Sequence, residues 1–357
     1  MKSIYEYIDI SQDIVNYTDS SRFWVHAFEN MEITGDIKVS LDGQIWKDYH
    51  NSTFYLSKGE YAYIYSYGKP SSIRYKGRFE VGGNILGFIM DVIPGYNNPK
   101  KLEDREFMSL FAGSDIVSAK ELDLSCCILA EYCYEDMFNN CNLLEEAPKL
   151  PATELADYCY YQMFAGCKSL KEPPELPATR LAESCYEEMF FNCYRLQRTP
   201  KLHATALDNR CYRCMFEECR QLKKVELFAT ELKEGCYKYM FHNCESLVVV
   251  PSLPATELAM RCYYCMFYDC FSLSNIPDLP ATELEEDCYY QMFYDCKQIK
   301  TIVLYADPKY SGKNWKIYAE EWIWGLSYRN VIIYKNPNLI LPTGSSGIFK
   351  GWIQKPL

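Results

Sequence analysis

From about residue 130 the apolar positions of the chain recur in a strict register. The dipeptide Cys-Tyr begins at Cys133, Cys159, Cys185, Cys211, Cys236, Cys262 and Cys288, at intervals of 26, 26, 26, 25, 26 and 26 residues. A Met-Phe pair follows each one at fixed offset, from Met137-Phe138 to Met292-Phe293. A second Cys lies eight residues after the first, from Cys141 to Cys296, and Leu or Ile comes three residues later, from Leu144 to Ile299. Self-similarity at this period marks seven supersecondary units, each unable to bury its apolar side without a neighbour.

Within one unit, Leu155, Cys159, Met163 and Cys167 recur every four residues, flanked by Ala156, Tyr160 and Phe164. That apolar stripe predicts a helix packed on one side. Thr153 is placed to cap its start. The residue before the second Cys is Gly166, or Asn140, Asn192, Asn243, Asp269 and Asp295 in other units, types that tolerate the left-handed conformation ending a helix; Glu218 is the exception. A Pro-containing extended segment, Leu170–Leu176, follows. Each unit therefore reads as short strand, turn and helix. The unit that is one residue short has Phe228 where others have Pro, which predicts a local kink or bulge. Degenerate copies flank the array: Phe107–Leu122 imitates a unit without cysteines, and Trp315, Trp322, Trp324 and Trp352 could cover the last layer.

The first ninety residues have a different pattern. Ile37, Val39 and Leu41 alternate into Asp42-Gly43, a hairpin signal, and Tyr61, Tyr63, Tyr65 and Tyr67 alternate with Ala62, Ile64 and Ser66. Period-two alternation predicts an antiparallel β-sandwich over residues 1–93. The Gly/Asn/Pro-rich stretch Pro94–Lys101 marks the boundary, with a linker over 94–106, the repeats over 107–300 and a Trp-rich cap over 301–357.

Charge narrows the choice of partner. Thirty-seven Lys and Arg against 48 Asp and Glu give a net charge of −11, with no basic block, so nucleic acid is not an expected partner. No run approaches the ~18 apolar residues of a membrane helix, so no membrane insertion is expected. The opening MKSIYEYIDISQDIVNYTDS has no basic stretch followed by an apolar run and does not read as a secretory signal. Synthesis in a cytoplasm is the expectation if Met1 is the start.

All 18 cysteines lie between Cys126 and Cys296. The two of one unit, about 12 Å apart on a helix, are too distant to bridge. Cys211-x-x-Cys214 and Cys262-x-x-Cys265 look like half zinc sites but sit two units apart. The simpler role is that of a small apolar filler, so no metal and no cofactor is expected. The four histidines, His26, His50, His203 and His242, form no catalytic motif, and Glu145-Glu146 and Glu285-Glu286 read as solvated faces. The expectation is a protein that is not an enzyme, with a glycan-degrading carboxylate pair as the least favoured reading.

The positions two and six residues after the first Cys should point outward. In the last two units they are Tyr264 and Tyr268, then Tyr290 and Tyr294. Stacking predicts an aromatic patch beside Asp269 and Asp295, of the kind that holds sugar faces or partner side chains; packing against neighbouring units is the other reading. Tyr61, Tyr63, Tyr65 and Tyr67 form either an exposed attachment face or part of the core.

The unit LPATELA..CY..MF..C..L resembles the BspA-like class of leucine-rich repeats, over roughly Phe107 to Ile299 and more loosely beyond. The resemblance implies an α+β chain: the β-sandwich followed by a right-handed leucine-rich-repeat solenoid, a short strand plus helix per 25–26-residue repeat. It also implies surface attachment with no characteristic catalytic residues. The expected function is non-enzymatic recognition as a phage virion component, a fibre or receptor-binding protein at the virion surface. A bacterial cell-surface adhesin is the alternative. Expected partners are other assembly proteins, a host surface polysaccharide or protein, and copies of the same chain as a homo-oligomer.

Overall fold

The computed structural model of the chain describes residues 22–89, 100–125, 127–250, 252–311, 314–326, 331–344, 348 and 352–357. The opening twenty-one residues, most of the boundary stretch 94–101, Cys126 and most of 345–351 lie outside the described residues, and so do the readings placed on them.

The alternating segment forms strands as its period requires. They are β1 (Trp24–Ala27), β2 (Met31–Ser40), β3 (Lys47–Leu56), β4 (Tyr61–Ser66), β5 (Arg74–Lys76) and β6 (Phe79–Asn84). With β8 (Ile116–Asp123), after the short β7 (Lys100–Lys101), they make one seven-stranded sheet of order β3-β2-β4-β1-β6-β8. Its pairings are antiparallel except β6 with β8. The pairing suits a sandwich: the first half of β2 pairs β5 while its second half pairs β4, so one long strand serves two packed halves. Ile33, Ile37, Val39, Val25, Ile64, Phe79 and Val81 turn inward and are buried. On the opposite face Trp24 crosses Gly82, where a Cβ would come within 2.2 Å of the indole, so only glycine fits.

The repeats are not built from helices. Among the described residues the one α-helix is α1 (Trp315–Ala319), five residues long and outside the repeats. This overturns the leucine-rich-repeat solenoid of strand plus helix. Each apolar half-unit is a ribbon of overlapping turns, with Cys133, Glu135, Met137, Asn139 and Cys141 each donating to the carbonyl three residues back. Intervening residues donate sideways instead: Tyr132, Tyr134, Asp136, Phe138 and Asn140 bond to carbonyls of Asp157, Cys159, Tyr161, Met163 and Ala165 in the next unit, at 2.7–3.2 Å.

Left-handed backbone makes this alternation. In the first unit Tyr132, Asp136 and Asn140 have φ of 57°, 55° and 59°, and the following units repeat it at every fourth residue. A non-glycine residue there costs about 1 kcal/mol. Five interlayer hydrogen bonds of about 1 kcal/mol each, with the burial they accompany, outweigh three such residues per layer. The four-residue apolar period is the telling sign in retrospect. Four helical residues turn through about 400°, so a strict four-residue stripe drifts round an α-helix, whereas the turn ribbon repeats every four residues without drift. Thr153 accordingly caps no helix.

Of each four residues, two point in and two point out. The inward Cys, Tyr, Met, Phe and second Cys are buried in every unit. Their rings stack in two internal files, the Tyr file from Phe107 through Tyr289 to Trp322 and the Phe file from Phe111 to Phe293. Each second Cys points its thiol at the Phe carbonyl of the preceding layer, as Cys193 does to Phe164 at 3.1 Å. These thiols are therefore both fillers and donors. The cysteines of the repeats, from Cys133 to Cys296, form no disulfides.

The array has a layer at each end beyond the seven. Phe107, Ser109, Phe111 and Gly113 donate to carbonyls of the first unit, and Asp287, Tyr289, Gln291, Phe293 and Asp295 donate to Ile317, Tyr318, Glu320, Trp322 and Trp324. Trp315 and Trp322 are fully buried, and Trp352 nearly so. On the other edge, single parallel bridges join Arg198 to Lys224, Lys224 to Val249 and Val249 to Asn275. The parallel sheet β10 (Thr301–Leu304), β11 (Ile332–Lys335), β12 (Ile353–Pro356) closes that side, and β7 pairs β9 (Cys127–Ile128) near its start. At the first end, β8 belongs to the N-terminal sheet and also bridges from Ser118 to Glu146. The missing residue of the short unit falls between Lys224 and Glu231, beside the exposed Phe228, and the interlayer bonds there keep their usual 2.9–3.1 Å length. The expected kink is thus absorbed in the connecting segment.

Candidate functional site

Because the ribbon buries residues in pairs, its outward residues fall into fixed columns. Relative to the first Cys these are one residue before it, two and three after it, and six and seven after it. Through the first five units most positions in these columns are filled by polar side chains that pair between layers. Gln162 donates to Glu188, Arg213 pairs with Glu187, His242 with Glu217 at 2.7 Å, and Asn243 with Glu218.

Tyr132 stacks on Tyr158 across the first two units at 4.6 Å and 16°, whereas the last two units fill two outward columns with stacked tyrosines. Tyr264 stacks on Tyr290 with ring centres 4.4 Å apart and planes 13° apart, and Tyr268 on Tyr294 at 4.5 Å and 3°. All four are half-buried, as are Asp269 and Asp295 beside them. The structure thus brings the six predicted residues together. It also adds Tyr239 and His242 from the fifth unit, edge-on to Tyr264 and Tyr268, and Trp324 from the cap, in the column of Tyr294. These additions could be found in the sequence only by extending the columns one layer each way.

Ring orientation decides what the patch can do. Tyr264 has Tyr290 over one face and the Lys238 ammonium, 4.5 Å from the ring centre, at its other side. Tyr268 lies between Tyr294 and the edge of His242. Faces are taken up by neighbours, so the edges and hydroxyls are what face solvent. Burial, then Cys265 and Tyr290, push the Tyr264 phenol up to about 12; burial, then Asp269 and Tyr294, do the same for Tyr268. Both hydroxyls stay protonated donors at neutral pH. Burial and the neighbouring Asp295 hold the Asp269 carboxyl above the usual range, while Asp295 pairs with Lys297 at 3.1 Å.

The tyrosines of β4 lie on the solvent face of the N-terminal sheet. Tyr61, Tyr63 and Tyr65 are half-buried and Tyr67 is exposed, while Ala62, Ile64 and Ser66 are buried. Tyr61 stacks on His26 at 4.0 Å, His26 bonds Glu80 at 2.8 Å, and Tyr67 bonds Asp48. Neighbouring side chains therefore cover much of this face too.

Other candidate chemistry is dispersed. Among the described residues no three His, Cys, Asp or Glu converge as a metal set, and Cys214 and Cys265 share a column with Tyr239 between them. Glu145, Glu146, Glu285 and Glu286 are exposed. Shallow depressions among the described residues include one of about 200 Å³ between Val39, Leu41, Ile45 and Phe54, and one of about 330 Å³ between the turns at Thr230–Lys233 and Thr256–Leu258. No helix among the described residues is long and apolar enough to cross a membrane. Comparison with protein-family models, with curated proteins and with solved structures found no match to this chain.

Proposed function

We propose that the chain is a non-enzymatic recognition protein whose ligand lies along the outer columns of its last layers. One observation carries this reading: where earlier layers fill those columns largely with side chains paired between layers, Tyr264, Tyr268, Tyr290 and Tyr294 replace them with a block of stacked phenols edged by Asp269 and Asp295. Outward hydroxyls and carboxylates suit hydrogen bonding to a hydroxyl-rich partner, which favours a surface glycan over an apolar peptide. The rigid stack limits the ordering needed on binding. We propose a phage virion surface as the setting, in preference to a bacterial cell surface, on the resemblance that the repeat motif carries. The tyrosine face of β4 is proposed to attach the chain to its assembly.

The test is binding of the chain to a panel of bacterial cells and their extracted polysaccharides, beside a variant with Tyr264, Tyr268, Tyr290 and Tyr294 changed to Ala. Selective binding lost in the variant is the expected result. Binding that survives moves the site elsewhere. If a well-folded sample binds nothing, the recognition reading fails and a purely structural role replaces it.

A further inference from the structure

The two tyrosine files start at the same layer, and a base precedes each of them. In the column two residues after the first Cys, Arg213 is followed by Lys238, Tyr264 and Tyr290. In the column six residues after it, Glu217 is followed by His242, Tyr268 and Tyr294. Lys238 and His242 therefore stand where paired polar side chains give way to stacked phenols. The Lys238 ammonium lies 4.5 Å from the Tyr264 ring centre. The His242 ring meets Tyr268 edge-on, with centres 5.1 Å apart and planes 83° apart, while the other face of Tyr268 lies on Tyr294. A cation at the open end of such a stack is attracted by the electron-rich face of the first ring. Of the two residue types, histidine is the one that changes charge between about pH 5 and 8.

Most of the charge around His242 is negative. Its Nδ1 is 2.7 Å from Glu217 Oε1 in the layer before, and both side chains are half-buried. Glu218, also in that layer, is shared by Arg220 and Asn243. In the layer after, burial and then Asp295 hold the Asp269 carboxyl up, and His242 acts against them. Within its own layer His242 faces Tyr239, whose ring also meets the Lys238 ammonium at 5.5 Å. Cys214 and Cys265, one layer to either side, have thiols that burial keeps protonated.

We propose that His242 is a positioning residue through which pH regulates the tyrosine site, its charged form holding Tyr268 in the stack and so tightening glycan binding. The inference rests on the glycan reading above and adds the regulation of that same site. The imidazolium makes a charge-assisted bond to Glu217 and attracts the Tyr268 ring at once. A ring already held leaves less ordering for the ligand to impose. As pH rises through the titration of His242 the charge is lost and a neutral edge contact remains, so binding is tighter on the acid side.

The experiment uses the whole chain with isotope-labelled histidine and tyrosine, followed by NMR from about pH 5 to 9. Binding of dextran, mannan, galactan and the extracted polysaccharides of the panel above is measured at about pH 5.5 and 8.5. The Tyr268 ring signals are expected to move with the midpoint of His242, and a polymer that binds is expected to do so about threefold more tightly at the acid pH. His242→Gln keeps a donor for Glu217 without the charge and should flatten both profiles at an unchanged melting temperature. Glu217→Gln removes the anion facing the imidazole and should move the shared midpoint to lower pH, which a merely structural role would not do. Tyr268 signals indifferent to the His242 midpoint, or a midpoint that Glu217→Gln leaves in place, overturn the proposal. Equal binding at both pH values, by a polymer that the chain does hold, overturns it too while the glycan reading stands. If no polysaccharide binds, the glycan reading falls, and the ring signals alone confirm or overturn the role of His242.

Discussion

The N-terminal sheet and the stacked ribbons solve one problem in opposite ways. Both bury apolar residues behind hydrogen-bonded backbone, yet the sheet uses extended residues of period two, and the ribbon uses turns of period four with every fourth residue left-handed. The sheet packs irregular aliphatic side chains such as Ile33, Ile37 and Val39, whereas the ribbons pile identical residues on one another. Extended strands get cross-strand bonds from unstrained dihedrals. A ribbon of turns gets them only by holding Gln, Glu, Cys and Tyr at positive φ, so its layers depend on one another more heavily than strands do.

Alkali should separate the two regions most strongly. Burial pushes the thiols of Cys133, Cys141, Cys185, Cys193, Cys236 and Cys288 from the ordinary 9.0 up to about 12. Their folded values lie above the unfolded ones, so the unfolded chain holds fewer protons between pH 9 and 12. The stabilisation is complete below about pH 9 and is lost as pH rises to 12, by up to about 1.4 kcal/mol per unit for each thiol. The described part of the sheet before residue 90 contains no cysteine. Melting followed by circular dichroism in the presence of reductant should show the ribbons failing first above pH 9. Simultaneous loss of both regions would mean that they unfold as one unit.

Core truncation comes next in size. Phe190→Ala removes one ring from an internal file between Phe164 and Phe216 and should cost about 3–5 kcal/mol in chemical denaturation, with Ile33→Ala in β2 costing about 2–5. A smaller effect is expected for Cys193→Ala. It loses a thiol bond to Phe164 but leaves that carbonyl its backbone donor, the Cys167 N–H, so about 1 kcal/mol is the expected loss.

The smallest effect is the sharpest in sign. Ser109 has φ of 56° in the first ribbon layer, and Ser109→Gly should leave stability unchanged or raise it by up to about 1 kcal/mol. Lys38→Gly, mid-strand in β2, should lower it by about 1 kcal/mol. Equal destabilisation by both would contradict the left-handed ribbon.

The sequence shows the register of the ribbons and hides their conformation. Cys-Tyr and Met-Phe spacing locates every layer, because identical buried neighbours must recur at one period. Helix and turn ribbon both place apolar residues four apart, and only the strictness of the spacing separates them. Nor does composition reveal the backbone: Gln162, Glu188 and Tyr239 are not residues that favour positive φ, and the interlayer bonds impose it. The tyrosine patch was legible because outward columns follow from the register alone.

One property of the ribbon bonds reaches beyond packing. From Phe107 to Asp295 each bond of the turn ribbon donates from one layer to the carbonyl of the next, and the fewer interlayer bonds of the connecting segments, such as Ser246 to Arg220, run the other way. Aligned amide dipoles add along the stack, as they do along an α-helix, instead of cancelling as in antiparallel strands. The polarity is opposite to that of a helix relative to the chain: positive at the cap, negative at the layer of residues 105–113. Glu320 and Glu321 in the cap layer stand at the favourable pole. The two ends of the stack are therefore electrically unlike, and any partner meeting them end-on would be sorted by the sign of its own charge.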